Sequence, residues 1–541
     1  MPRILKYAVA LFFVPLLLVT LCVPIYTDEL VWHSFLARVF DDGLVTYTKV
    51  PECTSVRSVD IPALLLPGRL LASVIYYKIS PPYLLRCIGV SISLLSIYFA
   101  CRALLAFRGM TAQRTVRMDR IALALFVAAL IAGLSPAWRA TARPEALFSA
   151  VLFGSVWLAF VYHTRTASIS VFGAFTLLAL CVFSLHPKGL FFLPLMIFAV
   201  SIMRVEGRAV LVKGVSSLVM LIGAAQSVSS YGRLYDCPNA PYVASELGRH
   251  MINPSSALQA PSEYLTSVIA NLFHIHRYAV AIVAPKTDVY WGWLPAHDLG
   301  LYDAVWSEAV FAVFATAVAV IFLGVFRCIC DVARTRVLTV QSCFPLILLA
   351  CQIGLIAHQS NPNLYDGVFI IGLLGFTAAV CLPVFASPPT VVYAVILSLL
   401  MACMVINVVG FVAAYGSLIS RVYTFGIEGK FPSAFHGGIE LYNYSAVRTK
   451  LWELSKQCNL DLAKVDGIVV DDSSYPYAQR SLRPIHTMGT TWFSEPGSDQ
   501  YKVFQTAGIE AVLARCDRLK PAVVSRSRQL DGFCCAMIKS E

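Results

Sequence analysis

Charge is what this chain has least of. Asp, Glu, Lys and Arg make up 13% of its 541 residues, where a soluble domain carries about a quarter. With 58% apolar residues and a mean hydropathy of +0.71, an ordinary water-soluble fold is excluded. Acidic residues are scarcer than basic ones, 31 against 42, which leaves a net charge of +11. Such a balance fits nucleic-acid binding, an anionic lipid surface or the positive-inside bias of membrane proteins. Internal repeats and low-complexity runs are absent, and no cysteine spacing resembles a structural zinc site.

What is present is a series of long apolar stretches, at residues 7–26, 87–107, 121–138, 146–162, 167–185, 190–203, 215–230, 309–326, 337–357, 368–386 and 391–418. Several approach the roughly 20 residues that cross a bilayer core. Counted as eleven spans, they place the basic clusters on one face. These are Arg3 and Lys6; Arg108, Arg114, Arg117 and Arg120; Arg204, Arg208 and Lys213; and Arg327, Arg334 and Arg336. That face is then cytoplasmic. Membrane topology accounts for much of the basic balance, and no nucleic-acid partner is expected. The segment 61–80 is apolar but carries Pro67, Arg69 and Lys78. A crossing there would move the Arg108–Arg120 cluster outside, so the segment is read as interfacial or re-entrant. The first span is read as retained, because its apolar core exceeds a usual leader and no clear small-x-small site precedes Asp28.

The reading is an all-α polytopic membrane bundle over residues 1–419, followed by a small extracytoplasmic α/β domain over 420–541. Two loops, 27–86 and 231–308, share the outer face with that domain. The first is long enough for a surface helix over 32–40, and the second holds Trp291 and Trp293, suited to an interface belt. In the tail, strands are expected at 467–470, 511–514 and 532–538, with a short helix at 501–507. Of 16 cysteines, six fall outside the spans: Cys53, Cys237, Cys458, Cys516, Cys534 and Cys535. An oxidising space such as a periplasm permits disulfides there, and Cys516 is expected to pair with Cys534 or Cys535.

Candidate chemistry collects on the outer face. Asp28-Glu29 follows the first span, where a carboxylate can act as a general base or hold a divalent cation. Neighbouring helical residues diverge by about 100°, so one of the two faces a given site. A solvated helix end is the plainer reading of this pair. Asp41-Asp42, before Gly43, reads as a helix stop that can approach the same pocket. Arg143-Pro144-Glu145 opens the fourth span. Proline in the first turn and glutamate near a helix N-terminus are both favoured there. Arg143 is not favoured, and a phosphate, a carboxylate, a lipid headgroup or solvent would account for it. His186-Pro187-Lys188-Gly189 forms a tight turn between spans. His358, Asn361 and Asp366 cluster in a later one, and His274, His276, Arg277 and Lys286 sit in the second loop. Each is weak alone; their shared face suits a polyanionic lipid-phosphate substrate.

The sequence Tyr26-Thr27-Asp28-Glu29 after the first span, the stretch with Trp32 and His33, Ala142-Arg143-Pro144-Glu145 and His186-Pro187-Lys188 together resemble the GT-C glycosyltransferases. These are integral membrane enzymes that include protein O-mannosyltransferases and lipid A aminoarabinose transferases. The motifs cover roughly the first 200 residues, and the layout covers the rest. The resemblance implies inverting transfer of a sugar, hexosyl or pentosyl, from a polyprenyl-phosphate donor to a glycan, lipid or protein acceptor on the outer face. It makes Asp28 the base or a metal ligand, supported by Glu29. It makes Arg143, Lys188 and Lys286 the cations that bind the donor phosphate. Glu145, His186, His358 and the loosely matched Asp41 and Asp42 are supporting residues. No cation is assigned. The expected location is the bacterial inner membrane, with the site and the tail facing the periplasm. The competing readings are a transporter or flippase of lipid-linked sugars and an inert scaffold. Charges at span ends, rather than at mid-membrane, favour the enzyme.

Overall fold

A computed structural model of the chain describes residues 15–16, 19–21, 62–76, 82–110, 115–205, 209–235, 252, 256–275, 279–280, 283–285, 299–359, 364–382, 388–425, 444–462, 468–470, 474, 484–486 and 510–538. The helices of the bundle are α1 (Leu66–Tyr76), α2 (Pro82–Gly109), α3 (Val116–Leu130), α4 (Ser135–Arg139), α5 (Pro144–Thr164), α6 (Ile169–Leu185), α7 (Leu193–Ile202), α8 (Ala209–Tyr235), α9 (Pro261–Phe273), α10 (Leu301–Thr335), α11 (Val340–Ala357), α12 (Leu364–Cys381) and α13 (Thr390–Phe425). Among the described residues six of them, α2, α5, α8, α10, α11 and α13, are long and apolar enough to cross a bilayer. Their outer faces agree. Leu211, Val215, Leu218 and Ile222 on α8 are exposed, as are Phe322 and Phe326 on α10 and Val391, Val395 and Leu399 on α13. Apolar stripes of this extent are stable against lipid tails, not against water. The chain is an integral membrane protein.

Among the described residues the other apolar helices are shorter. α6, α12 and the run Pro187–Ile202 are apolar but shorter, and of 7–26 only 15–16 and 19–21 are described. The expectation of one helix over 121–138 is corrected. α3 stops at Leu130, Gly133 takes φ +55°, and α4 begins at Ser135. Distant residues hold this break open. Gly133 N donates to Asn407 Oδ1 at 2.6 Å and Leu134 N to Val283 O at 2.9 Å. Trp306 Nε1 donates to the same Asn407 oxygen at 3.1 Å. A Cβ at 133 would strike the Val283 carbonyl, so both the backbone angle and the space require glycine.

Segment 61–80 contains α1, which lies on α6 with Gly68 against Cys181 and Ser184. At 1.5 Å per residue α1 is about 16 Å long, half a bilayer core. α2 packs along α5, α3 along α12, and α10 against both α12 and α13. A two-residue parallel pair, β1 (Thr166–Ala167) with β2 (Arg204–Val205), links the loops after α5 and α7. One end of the bundle carries a partly buried ion pair, Arg108 with Asp119, beside the rings of Phe107, Phe160 and Phe344, which pack on one another tilted or edge to face. At the other end the junctions α4–α5, α6–α7 and α11–α12 come together.

After α13 come α14 (Tyr444–Gln457) and the strands β3 (Ile468–Val470), β4 (Pro484–His486), β5 (Ala511–Arg515), β6 (Arg528–Leu530) and β7 (Phe533–Met537). They form one sheet in the order β4-β3-β5-β7-β6. β3 pairs in parallel with β4 and β5, whereas β7 is antiparallel to β5 and β6. Cys516 pairs with Cys534, and Cys535 with Cys458 at the end of α14. Cys53, Cys237, the 32–40 helix and the 501–507 helix lie outside the described residues.

Candidate functional site

The junction end gathers charge inside an apolar bundle. α5 starts at Pro144 after an extended Arg143, with Glu145 in its first turn. Arg143 forks onto that acid, Nε to Oε2 and Nη2 to Oε1, each at 3.2 Å. A cation therefore stands at a helix N-terminus because a carboxylate on the same turn holds it.

α6 ends at Leu185, and the next residue caps a new turn. His186 is extended, and its Nδ1 accepts the Lys188 backbone N–H at 3.2 Å to start the 3-10 turn Pro187–Phe192. With Nδ1 accepting, the ring hydrogen is on Nε2, which lies 3.4 Å from Glu145 Oε1. Burial pushes the imidazole pKa down to about 4, with the Lys188 cation acting in the same direction. His186 is therefore neutral at physiological pH. A Cβ at Gly189 would meet the Val182 carbonyl, so the turn closes only around glycine. Lys188 in turn forms an ion pair with Asp366 of α12. Both side chains are about 5% exposed, at 6% and 5%.

The cluster thus holds two cations, two carboxylates and a neutral imidazole. Charges in such surroundings persist when they are matched, and removing one partner strands the other. Aromatic rings wall the group. Phe148 lies 5.7 Å from Phe192, 5.4 Å from Phe369 and 6.4 Å from the His186 ring, centre to centre.

Of the residues expected from sequence, Arg143, Glu145, His186 and Lys188 meet here, and Asp366 joins from a separate turn. His358 stands apart, on the other side of the 187–192 turn. Its ring is 4.9 Å from Phe191, its Nδ1 donates to Gly354 O at 2.8 Å, and its Nε2 meets the Tyr264 hydroxyl. Asp28, Glu29, Asp41, Asp42 and Lys286 lie outside the described residues. Among the described residues no three His, Cys, Asp or Glu side chains converge as a metal site.

Sequence reasoning missed Arg139. It ends α4, one residue past the stretch 121–138 read as a span, and only its charge signalled it. Its Nε donates to Leu130 O at 3.1 Å and its Nη2 to Val368 O at 2.6 Å, closing the C-terminal end of α3 against α12. Gly372 makes room, since a Cβ there would fall on the guanidinium. Beside it lies a cavity of about 50 Å³ between α2, α3, α5 and α12, which shares the Arg143–Glu145 pair as one wall.

No family model matches the chain, and no curated protein does. Among solved structures, the chain is similar to the archaeal oligosaccharyltransferase AglB from Archaeoglobus fulgidus in complex with an inhibitory peptide and a dolichol-phosphate. That match has 12% identity and a TM-score of 0.47, over 95% of this chain and 70% of that one. The apo form of the Archaeoglobus fulgidus oligosaccharyltransferase matches at 11% identity and TM-score 0.46, over 96% and 70% of the two chains. Its complex with zinc and sulfate matches at 12% identity and TM-score 0.42, over 91% and 64%.

Proposed function

We propose that this chain is a membrane glycosyltransferase that moves a sugar from a polyprenyl-phosphate donor to a glycan, lipid or protein acceptor. The observation that carries the reading is the buried cluster of Arg143, Glu145, His186, Lys188 and Asp366 at one end of an apolar bundle. Ionisable side chains in such a place are costly, and function is the usual reason they persist. The sequence motifs that carry the GT-C resemblance supply two turns of this cluster.

In the reaction an acceptor hydroxyl attacks the anomeric carbon from the face opposite the phosphate. The new sugar–oxygen bond forms as the bond to the phosphate oxygen breaks. The hydroxyl proton passes to Asp28, with Glu29 in support, and polyprenyl phosphate leaves with one more negative charge than the phosphate held in the donor. Arg143, Lys188 and Lys286 stabilise that growing charge. Glu145 and Asp366 hold two of these cations in place before the donor arrives, and His186 fixes the Glu145 carboxylate through its Nε2–H. Asp41, Asp42 and His358 are further supporting residues. The site and the tail face the periplasm of a bacterial inner membrane.

The test is sugar transfer from defined polyprenyl-phosphate sugars by the full chain in proteoliposomes. Asp28→Asn and Lys188→Gln are each expected to lose at least about a hundredfold in turnover, within the range for a proton-transfer group or a charge-stabilising one. Full activity in both variants removes these roles. Movement of the lipid-linked sugar across the bilayer without transfer favours the transporter.

A further inference from the structure

The cavity beside Arg139 differs from the cluster next to it in its balance of charge. Arg143 is matched by Glu145 and Lys188 by Asp366. Among the described residues Arg139 meets no carboxylate; its partners are the Leu130 and Val368 carbonyls. A guanidinium has five N–H groups in a fixed fork. Two are used on those carbonyls, which leaves three, and Arg139 is one of the residues that line the cavity.

The hydroxyls that line the cavity divide in the same way. Ser93 donates to Arg139 O, Thr141 to Trp138 O at 2.6 Å and Ser149 to Glu145 O at 2.7 Å. Ser96, one turn beyond Ser93 on the same face of α2, makes no hydrogen bond among the described residues and keeps its O–H for a guest. Glu145 also borders the space, but its carboxylate is engaged with Arg143 and His186. The other walls include Phe126, Phe153, Phe369 and Leu373, which give no alternative solvation. An unmatched cation in such walls is costly, and a single oxyanion with several acceptor oxygens relieves that cost. The volume has room for a few waters, or for one tetrahedral oxyanion in their place.

We propose that this cavity is a binding site for a phosphoryl group, held by the Arg139 fork and the Ser96 hydroxyl. The shared chemistry is a phosphoryl oxyanion, whether free or on the headgroup of a lipid. The site is separate from the transfer reaction proposed above, and it stands or falls on binding alone.

The test is titration of the full chain in detergent with inorganic phosphate and, separately, with farnesyl phosphate, followed by calorimetry and by ³¹P line broadening. Saturable binding of at least one probe is expected. Binding of both places a free-phosphate site here, and binding of farnesyl phosphate alone places a lipid headgroup here. Arg139→Gln is expected to weaken binding by about tenfold or more, as for loss of a charged hydrogen bond. Because Arg139 also ties α3 to α12, a second variant is needed that leaves those ties alone. Ser96→Val removes the hydroxyl and fills the space, and is expected to weaken binding at least about fivefold. Failure of both probes to bind the unaltered chain overturns the proposal. So does unchanged affinity in a folded Ser96→Val chain. Sugar transfer by the folded Ser96→Val chain is expected to be unchanged while its phosphoryl binding is weakened. Loss of transfer together with binding would assign the phosphoryl group to the donor site and overturn the proposal, so the two failures are distinguishable.

Discussion

Lys188 and Asp366 come from turns about 180 residues apart and meet with almost no solvent between them. Such a pair is worth little against an apolar replacement, yet either half alone is a stranded charge. Lys188→Met is therefore expected to destabilise the protein by about 3–5 kcal/mol, and Lys188→Met with Asp366→Leu to recover most of that loss. Thermal unfolding in detergent measures both. Additive losses would show that the pair is not coupled. His186 gives a pH signature instead. Its folded pKa of about 4 lies below the ordinary 6.5, so the unfolded chain holds the proton more tightly. Its contribution to stability is complete above pH 6.5 and falls as pH drops toward 4. His186→Gln is expected to flatten the unfolding midpoint over that window, and an unchanged slope would assign the titration to another group.

At the scale of elements, the break between α3 and α4 positions Arg139 and the start of α5, and one side chain far along the chain sustains it. Asn407→Leu removes the acceptor shared by Gly133 N and Trp306 Nε1. Two buried donors are then orphaned, at about 1–3 kcal/mol each. The expected result is a lower unfolding midpoint with faster hydrogen exchange around residue 133, and protection equal to the unaltered chain would show that the break holds itself. This break marks where the sequence stopped being legible. The start of α5 at Arg143-Pro144-Glu145 and the turn at His186-Pro187-Lys188 were readable because proline, glutamate and glycine act locally. Residues 121–138 read as one apolar helix because the partners that interrupt it, Val283, Trp306 and Asn407, are distant in sequence and leave no periodic trace. Strands 468–470, 511–515 and 533–537 were legible as apolar runs. Strand β6 was missed, although Asp531-Gly532 with φ of 48° and 80° is the two-residue turn expected between β6 and β7. Of the cluster, Arg143, Glu145, His186 and Lys188 were named from sequence. The pairing of Lys188 with Asp366 was not, because only the packed bundle brings α12 onto that turn.

For the molecule as a whole, the expected arrangement puts the site and the tail on one side of the membrane. α12 runs from Asp366 at the cluster to Cys381, and Cys381 lies against Gly324 of α10. Cys330, further along α10 and exposed, is therefore at the end of the bundle away from the cluster. Between Cys330 and the tail lie α11, α12 and α13. If all three cross, an odd number of crossings separates Cys330 from the sheet. α12 decides the matter, because it is apolar but falls among the shorter helices, while a bundle can hold a short span by thinning the bilayer or tilting little. Ser525 is exposed in the tail, on the loop before β6, and a cysteine there is a conservative reporter. In sealed cells a membrane-impermeant maleimide is expected to label Ser525→Cys. It is expected to reach Cys330 only after permeabilisation, with Cys330→Ser as the background. Labelling of both positions from one side would mean that one of the three helices, α12 first, does not cross. The tail would then lie on the same side as the Arg327–Arg336 cluster, opposite the end that holds the buried charges, and the single outer face expected for the site and the tail would be lost.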